Sequence, residues 1–315
     1  MKSIANYPFK NWASNVKCQA PHFAQPETEE EIILLLRRHK KVRVAGSGHS
    51  WSALCETDDL LLNMDKFNKI LDIDKDARTV RVQGGLKLDQ LNAILDKEGL
   101  ALSNLGSISK QTVAGAIATG THGTGIRFQC LAAQVLSFTL IKADGTKAVF
   151  HKGEELFNAS IIGLGCLGII TELTLQVTDS FNLHDKTCTA RFSDVIENID
   201  EYIAHDHFKL WWLPPAEDAV IYTYKRTNVP CNDSRLRQIL NDEIFSVWAY
   251  RGLVKAGNVM NRWRSPINRF LTSQIKPLDR IEKSFMVFNV PEPPKHRETE
   301  WAFDVSDAKA LIKEY

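Results

Sequence analysis

Between Ser103 and Gly125 the chain runs for more than twenty residues on hydroxyls, alanines and glycines, with Gly106, Gly115, Gly120, Gly123 and Gly125 spread along it. Its composition is too poor in large apolar groups to build a core. A loop of that length is uncommon inside a compact domain unless it serves a ligand, because small side chains leave backbone donors exposed. The alternative is a solvated surface loop, for which Val113, Ala114 and Ile117 are oddly apolar.

The elements around this tract follow a repeated strand, turn and helix pattern. Thr28-Glu-Glu-Glu31 is a capping box ahead of Ile32, Ile33, Leu35 and Leu36, and Arg37, Arg38, His39 and Lys40 suit the negative end of the helix dipole. A helix of about three turns is therefore predicted after Pro26. Lys41 to Ala45 alternates with period two and runs into Gly46-Ser-Gly-His-Ser50, so a strand ends in a glycine turn. Leu60 to Asn63 and Ile70 to Ile73 read as strands, as does Thr79 to Val82 before Gly84-Gly85. Leu88, Leu91, Ile94 and Leu95 then keep helical spacing up to a stop at Gly99. Val135 to Ile141 and Ala148 to Phe150 flank the hairpin signal Asp144-Gly145, and Ile169 to Val177 alternates as another strand.

A domain boundary is placed near Thr178. Beyond it, Phe192 to Tyr202 reads as a helix, Leu210 to Leu213 and Ala219 to Tyr224 as strands, and Pro291 to Pro294 as a stiff connector. The most apolar window, Ile244 to Val259, is interrupted by Arg251 and Lys255. It falls short of the roughly 20 apolar residues of a membrane span and is expected to be a core or surface-packing helix.

Three glycine tracts can approach a ligand. Gly46-Ser-Gly-His-Ser50 could converge backbone N–H groups on an anion such as a pyrophosphate, or could be an ordinary tight turn. It lacks the third glycine of a Rossmann fingerprint and a helix start after it. Gly163-Leu-Gly-Cys-Leu-Gly168 matches G-x-G-x-x-G literally but precedes a strand, so close backbone approach of a ligand or neighbouring strand explains it better. The tract from Ser103 to Gly125 is the third.

Thirty-nine Lys and Arg against 38 Asp and Glu leave a net charge of +1, which recruits neither nucleic acid nor an anionic membrane. A small neutral or weakly charged substrate fits better. The six cysteines are scattered, with no C-x-x-C pair and no histidine at zinc-finger spacing, so reduced thiols and no metal centre are expected. The first residues lack the apolar core and cleavage site of a secretory signal, leaving a cytoplasmic location as the default expectation.

Taken together, Gly46-Ser-Gly-His-Ser50, Leu102-Ser-Asn-Leu-Gly-Ser107, Val113-Ala-Gly-Ala116, Thr119-Gly-Thr-His-Gly-Thr-Gly125 and Leu164-Gly-Cys-Leu-Gly-Ile-Ile170 resemble the vanillyl-alcohol-oxidase superfamily of FAD enzymes. The likeness is to its sugar-1,4-lactone oxidase branch and runs in collinear order from about Phe9 to about Trp301. It implies an α+β fold: a two-lobed PCMH-type FAD-binding domain over residues 14–178, then an incomplete antiparallel-sheet cap domain over 179–315.

The resemblance also implies residue roles. His49 would bond the flavin C8 methyl carbon through an imidazole nitrogen, a neutral ring supplying the lone pair; a turn histidine capping backbone is the alternative. Val44, Ala45, Gly46, Ser47, Gly48 and Ser50 would bind the cofactor, with the backbone from Ala45 to Ser50 on its pyrophosphate. Thr112, Gly115, Ala116, Ile117 and Ala118 would line it, and Ile169 would touch it through backbone. His122 would pack inside the FAD loop rather than catalyse. Ser107 would face the substrate, and Gly106, where dehydrogenases of the family carry alanine, would leave oxygen a path.

The implied reaction oxidises an aldono-1,4-lactone at C2 with oxygen as acceptor, giving a 2-keto lactone and peroxide. A protein or quinone acceptor, and an FAD-binding chain without turnover, are the alternatives. Family members carry Glu-x-Arg and His-Trp-x-Lys motifs beyond the segment resembling Glu298 to Phe303, and the sequence ends at Tyr315. A fragment or a shortened form is therefore expected. Relatives often associate with internal membranes, although no anchor is read here.

Overall fold

The computed structural model describes residues 2–232, 263–290 and 295–314. The expected helix at Ile244 to Val259 and the connector at Pro291 to Pro294 lie outside the described residues. Two compact units emerge. The first takes the chain up to Gly123, Gln129–Ser180 and Lys295–Arg297; the second takes Thr124–Phe128 and the remainder from Phe181.

Two sheets build the first unit. In one, the hairpin of β1 (Lys2–Lys10) and β2 (Lys17–Gln25) is antiparallel, while β3 (Val42–Ala45) and β2 each run parallel to β4 (Leu60–Asn63), in the order β1-β2-β4-β3. The other is antiparallel, ordered β5-β6-β10-β8-β9, from β5 (Ile70–Asp74), β6 (Thr79–Gln83), β8 (Val135–Ile141), β9 (Lys147–His151) and β10 (Ile169–Gln176). A separate two-residue pair joins β7 (Leu100–Ala101) to β11 (Thr178–Asp179). The mixed architecture agrees with the α+β expectation.

Helix α1 (Glu29–Arg38) forms where the capping box placed it: Thr28 Oγ1 accepts the Glu31 N–H at 3.3 Å, and the Glu31 carboxylate takes the Glu27 N–H at 2.8 Å. Its Ile32 and Leu35 pack on Leu60, Leu62, Met64 and Phe67, together with Ile141 and Ile169 of the antiparallel sheet. One helix thus joins both sheets into a single core. Leu61, facing the other way on β4, packs with Ala20, Phe23 and Ala45. Each buried leucine, isoleucine, methionine or phenylalanine among them contributes about 1.5–3 kcal/mol. Helix α2 (Leu88–Lys97) ends ahead of Gly99, whose φ of +76° is the left-handed stop expected there.

The glycine-rich tract is not the coreless loop its composition suggested. Leu105, Val113, Ala116 and Ile117 are buried, and helix α3 (Val113–Ala118) forms within it. Helix α4 (Glu155–Ser160) completes the unit.

The second unit is built on an antiparallel sheet, β13-β14-β12-β15, from β12 (Asn182–Arg191), β13 (His207–Trp212), β14 (Asp218–Thr227) and β15 (Leu278–Lys283). The helix read over Phe192 to Tyr202 is two, α5 (Phe192–Glu197) and α6 (Ile199–Ile203), broken at Asn198. Helices α7 (Arg264–Ser273), α8 (Ser284–Phe288) and α9 (Ala308–Glu314) follow. Among the described residues no helix is long and apolar enough to cross a membrane.

His207 is 1% exposed, donates from Nδ1 to the Thr124 carbonyl at 2.9 Å and stacks on Phe128 at 4.7 Å. Burial lowers its pKa below 6.5, outweighing the hydrogen bond to Thr124. The folded ring therefore stays neutral where the unfolded one takes a proton. Its stabilising effect is complete above the unfolded pKa of about 6.5 and is lost as pH falls toward the folded value, at no more than about 1.4 kcal/mol per pH unit. Thermal unfolding is expected at lower temperature at pH 5 than at pH 7, with a shallower drop in His207→Phe. Equal slopes in the two chains would assign the acid sensitivity elsewhere.

Candidate active site

Strand β3 delivers the chain into the turn Gly46 to Ser50, and the N-terminal hairpin holds that turn. Gly48 O accepts the Trp12 N–H at 2.7 Å, and Ser50 O accepts from Asn11 Nδ2 at 2.9 Å. Asn11 is 4% exposed and its Oδ1 also takes the Val16 N–H at 3.0 Å, so it is fixed at both ends. On the other flank Ser47 Oγ donates to the Lys110 carbonyl at 2.5 Å. A trans peptide points its N–H opposite its C=O. With Gly48 O turned to the hairpin, the His49 N–H points away from it.

Around that turn lies a cleft within the first unit. Its wall runs from Arg43, Val44 and Ala45 through Gly46, Ser47, Gly48, His49 and Ser50 to Ser52, Leu54 and Cys55. Thr112, Ala114, Gly115, Ala118 and Thr119 form a second side, and Leu164, Gly165, Gly168, Ile169 and Ile170 a third. Three glycine tracts far apart in sequence thus meet on one cleft. Each wall depends on missing side chains: a Cβ at Gly46 would stand 2.3 Å from Thr112 Oγ1, and one at Gly168 2.4 Å from Ile141 O.

His49 is half-buried, with its ring 5.7 Å from Trp12 and inclined to it by 30°. Trp12 meets Trp51 and His296 edge-on, and Trp51 Nε1 donates to His296 O at 2.8 Å. Cys55, whose thiol donates to Val44 O at 3.4 Å, is pushed up in pKa by burial and then by Cys18, which keeps it a poor nucleophile.

Of the residues expected to hold cofactor, Val44 to Ser50, Thr112, Gly115, Ala118 and Ile169 line the cleft. Ala116 and Ile117 do not: at 0% and 1% exposure they are core residues. Helical phase explains the correction. At 100° per residue, Thr112, Ala114, Gly115, Ala118 and Thr119 share one arc of α3 and its caps, and Val113, Ala116 and Ile117 share the opposite one. Reading that stretch as a helix would have sorted them. His122 is exposed and bonds to Gly123 O at 2.9 Å, outside the lining. Gly106 and exposed Ser107 are also outside it. The expected domain start at residue 14 leaves out Phe9 and Asn11, which line the cleft from the N-terminal hairpin.

Residues 20–149 match the family described as FAD binding domain, and residues 173–315 the family described as D-arabinono-1,4-lactone oxidase. The chain thus joins an FAD-binding domain to a D-arabinono-1,4-lactone oxidase domain. It is 39% identical over 227 residues to L-gulonolactone oxidase of Mus musculus, covering 70% of this chain and 52% of that one. To L-gulono-1,4-lactone dehydrogenase of Mycobacterium tuberculosis it is 29% identical over 310 residues, 97% of this chain and 72% of that one. A cholesterol oxidase from Brevibacterium sterolicum shares the fold with a TM-score of 0.77 at 16% identity, over 93% of this chain and 63% of that one. The chain spans about half the length of the gulonolactone oxidases it matches.

The FAD binding domain match over residues 20–149 makes FAD the cofactor, and the cleft suits it. Glycines at 46, 115 and 168 keep the walls open to close backbone approach, Arg43 brings a positive charge, and Val44, Ala114 and Ala118 supply apolar surface for a flat ring system.

Proposed function

We propose that this chain is an FAD-dependent oxidase of aldono-1,4-lactones, converting the C2 hydroxyl to a ketone with oxygen as acceptor. The meeting of three glycine tracts on one cleft, with His49 in its wall, carries the reading. When bound, FAD supplies the two-electron redox chemistry. The backbone from Ala45 to Ser50 and the Arg43 guanidinium would hold its pyrophosphate; Thr112, Gly115 and Ala118 would flank it, and Ile169 would meet it through backbone. His49, with its ring beside Trp12, would be the covalent attachment point through an imidazole nitrogen. Ser107, exposed and outside the cleft lining, would face the substrate side.

The purified chain is expected to be yellow and to form peroxide with L-gulono-1,4-lactone. Bound flavin with neither peroxide nor dye reduction would sink the turnover and leave cofactor binding; a colourless chain would sink both.

A non-oxygen acceptor is a second reading, favoured by the mycobacterial relative named a dehydrogenase, which matches nearly the whole chain. Gly106 bears on the choice. A Cβ there would approach Thr121 Cγ2 at 2.9 Å and His122 O at 3.1 Å, so alanine fits only after a small shift of that segment. In Gly106→Ala, oxygen consumption is expected to fall at least about tenfold while dye-linked turnover persists. Equal loss of both rates would mean a packing defect, and no loss would remove Gly106 as the oxygen path.

A further inference from the structure

Away from the cleft, three ligand-type side chains meet at the opposite end of the parallel strands. His22 lies on β2, His39 follows the last turn of α1, and Asp59 precedes β4. One ligand atom from each lies within 4.8 Å of the other two. We propose that His22, His39 and Asp59 bind a divalent transition metal of the zinc class.

Asp59 organises the cluster. Its Oδ2 accepts the N–H groups of Lys40 and Lys41 at 2.8 and 3.0 Å, its Oδ1 accepts from His39 Nδ1 at 2.6 Å, and its carbonyl takes the His22 N–H at 3.0 Å. The carboxylate is thus aimed by backbone, and both histidines are positioned around it. The two imidazole rings are 4.8 Å apart and inclined by 59°.

Two imidazoles and one carboxylate are a ligand set for Zn2+ with a fourth position left to water. Metal–ligand bonds of about 2.0–2.1 Å place tetrahedral ligand atoms about 3.3 Å apart. The site closes if His39 and Asp59 part by less than about 1 Å and the exposed His22 ring swings inward by a little more. A bound ion would clip β2, the end of α1 and the start of β4, where the β2–β4 and β3–β4 registers begin at Leu60. None of the three residues lines the flavin cleft. The expectation of no metal centre rested on spacing along the sequence, and these ligands come from three separate elements.

The test is calorimetric titration of the chelator-treated full-length chain with ZnCl2, alongside thermal unfolding with and without the metal. One tight equivalent is expected, together with a zinc-dependent rise in unfolding temperature. His22→Ala, at an exposed position that leaves the fold intact, and His39→Ala should each weaken binding at least about tenfold and abolish the rise. His184→Ala, which breaks the separate exposed pair with Asp279, should change neither. Absence of uptake by the unaltered chain, uptake indifferent to His22→Ala and His39→Ala, or uptake lost in His184→Ala would each overturn the proposal.

Discussion

In His49→Ala the flavin is expected in the supernatant after acid precipitation, whereas the unaltered chain keeps it in the pellet. The substitution leaves the turn in place, because the turn hangs on main-chain carbonyls: Gly48 O on the Trp12 amide and Ser50 O on Asn11. Only the imidazole is removed. Covalent flavin should drop from near stoichiometric to none, while the folded variant still takes up some FAD non-covalently. His122→Ala is the matched control, since that exposed ring bonds to Gly123 O outside the cleft lining. An adduct that survives in His49→Ala and vanishes in His122→Ala would transfer the attachment point.

Gly46→Ala should strip the cofactor by a different route. The new methyl group would stand 2.3 Å from Thr112 Oγ1, the oxygen that caps α3 by accepting the Gly115 N–H at 3.3 Å. Either the hydroxyl turns away, losing a cap worth about 1 kcal/mol, or the turn is pushed off its hairpin anchors. Two walls of the cleft move together in both cases. Flavin content, read from visible absorbance against protein, should fall at least about tenfold with only a few degrees lost in unfolding temperature. Thr112→Ala removes the obstructing oxygen, so the double variant should hold more flavin than the two single losses predict. Strict additivity would place the defect elsewhere.

Much of this cleft was legible because its walls are turns after strands, and strand alternation followed by glycine is a local pattern. β3, β4, β6 and the β8–β9 hairpin formed where periodicity put them. Elements held by partners distant in sequence were not legible. The inward positions of β12 are Leu183, Asp185 and Thr187, so the strand shows no apolar alternation; Asp185 is instead met by Arg280 Nε at 3.0 Å from β15. β1 is obscured by Asn6 at a φ of +52° and by Pro8. Asn11, which fixes the His49 turn, carries no motif, since its role exists only once the hairpin lies beside Ser50. In the glycine tract composition misled, because alanine packed at 0% exposure does the work expected of larger side chains.

The order β5-β6-β10-β8-β9 has a consequence for how the chain is made. β10, the middle strand, is the last of the five to leave the ribosome. Until it emerges, β6 and β8 have no common neighbour, and the wall from Leu164 to Ile170 does not exist. At about 5–20 residues per second, the N-terminal hairpin waits on the order of ten seconds for that strand. FAD can be enclosed only after the wait, so cofactor supply acts late in synthesis, on a nearly complete first unit rather than on a nascent hairpin.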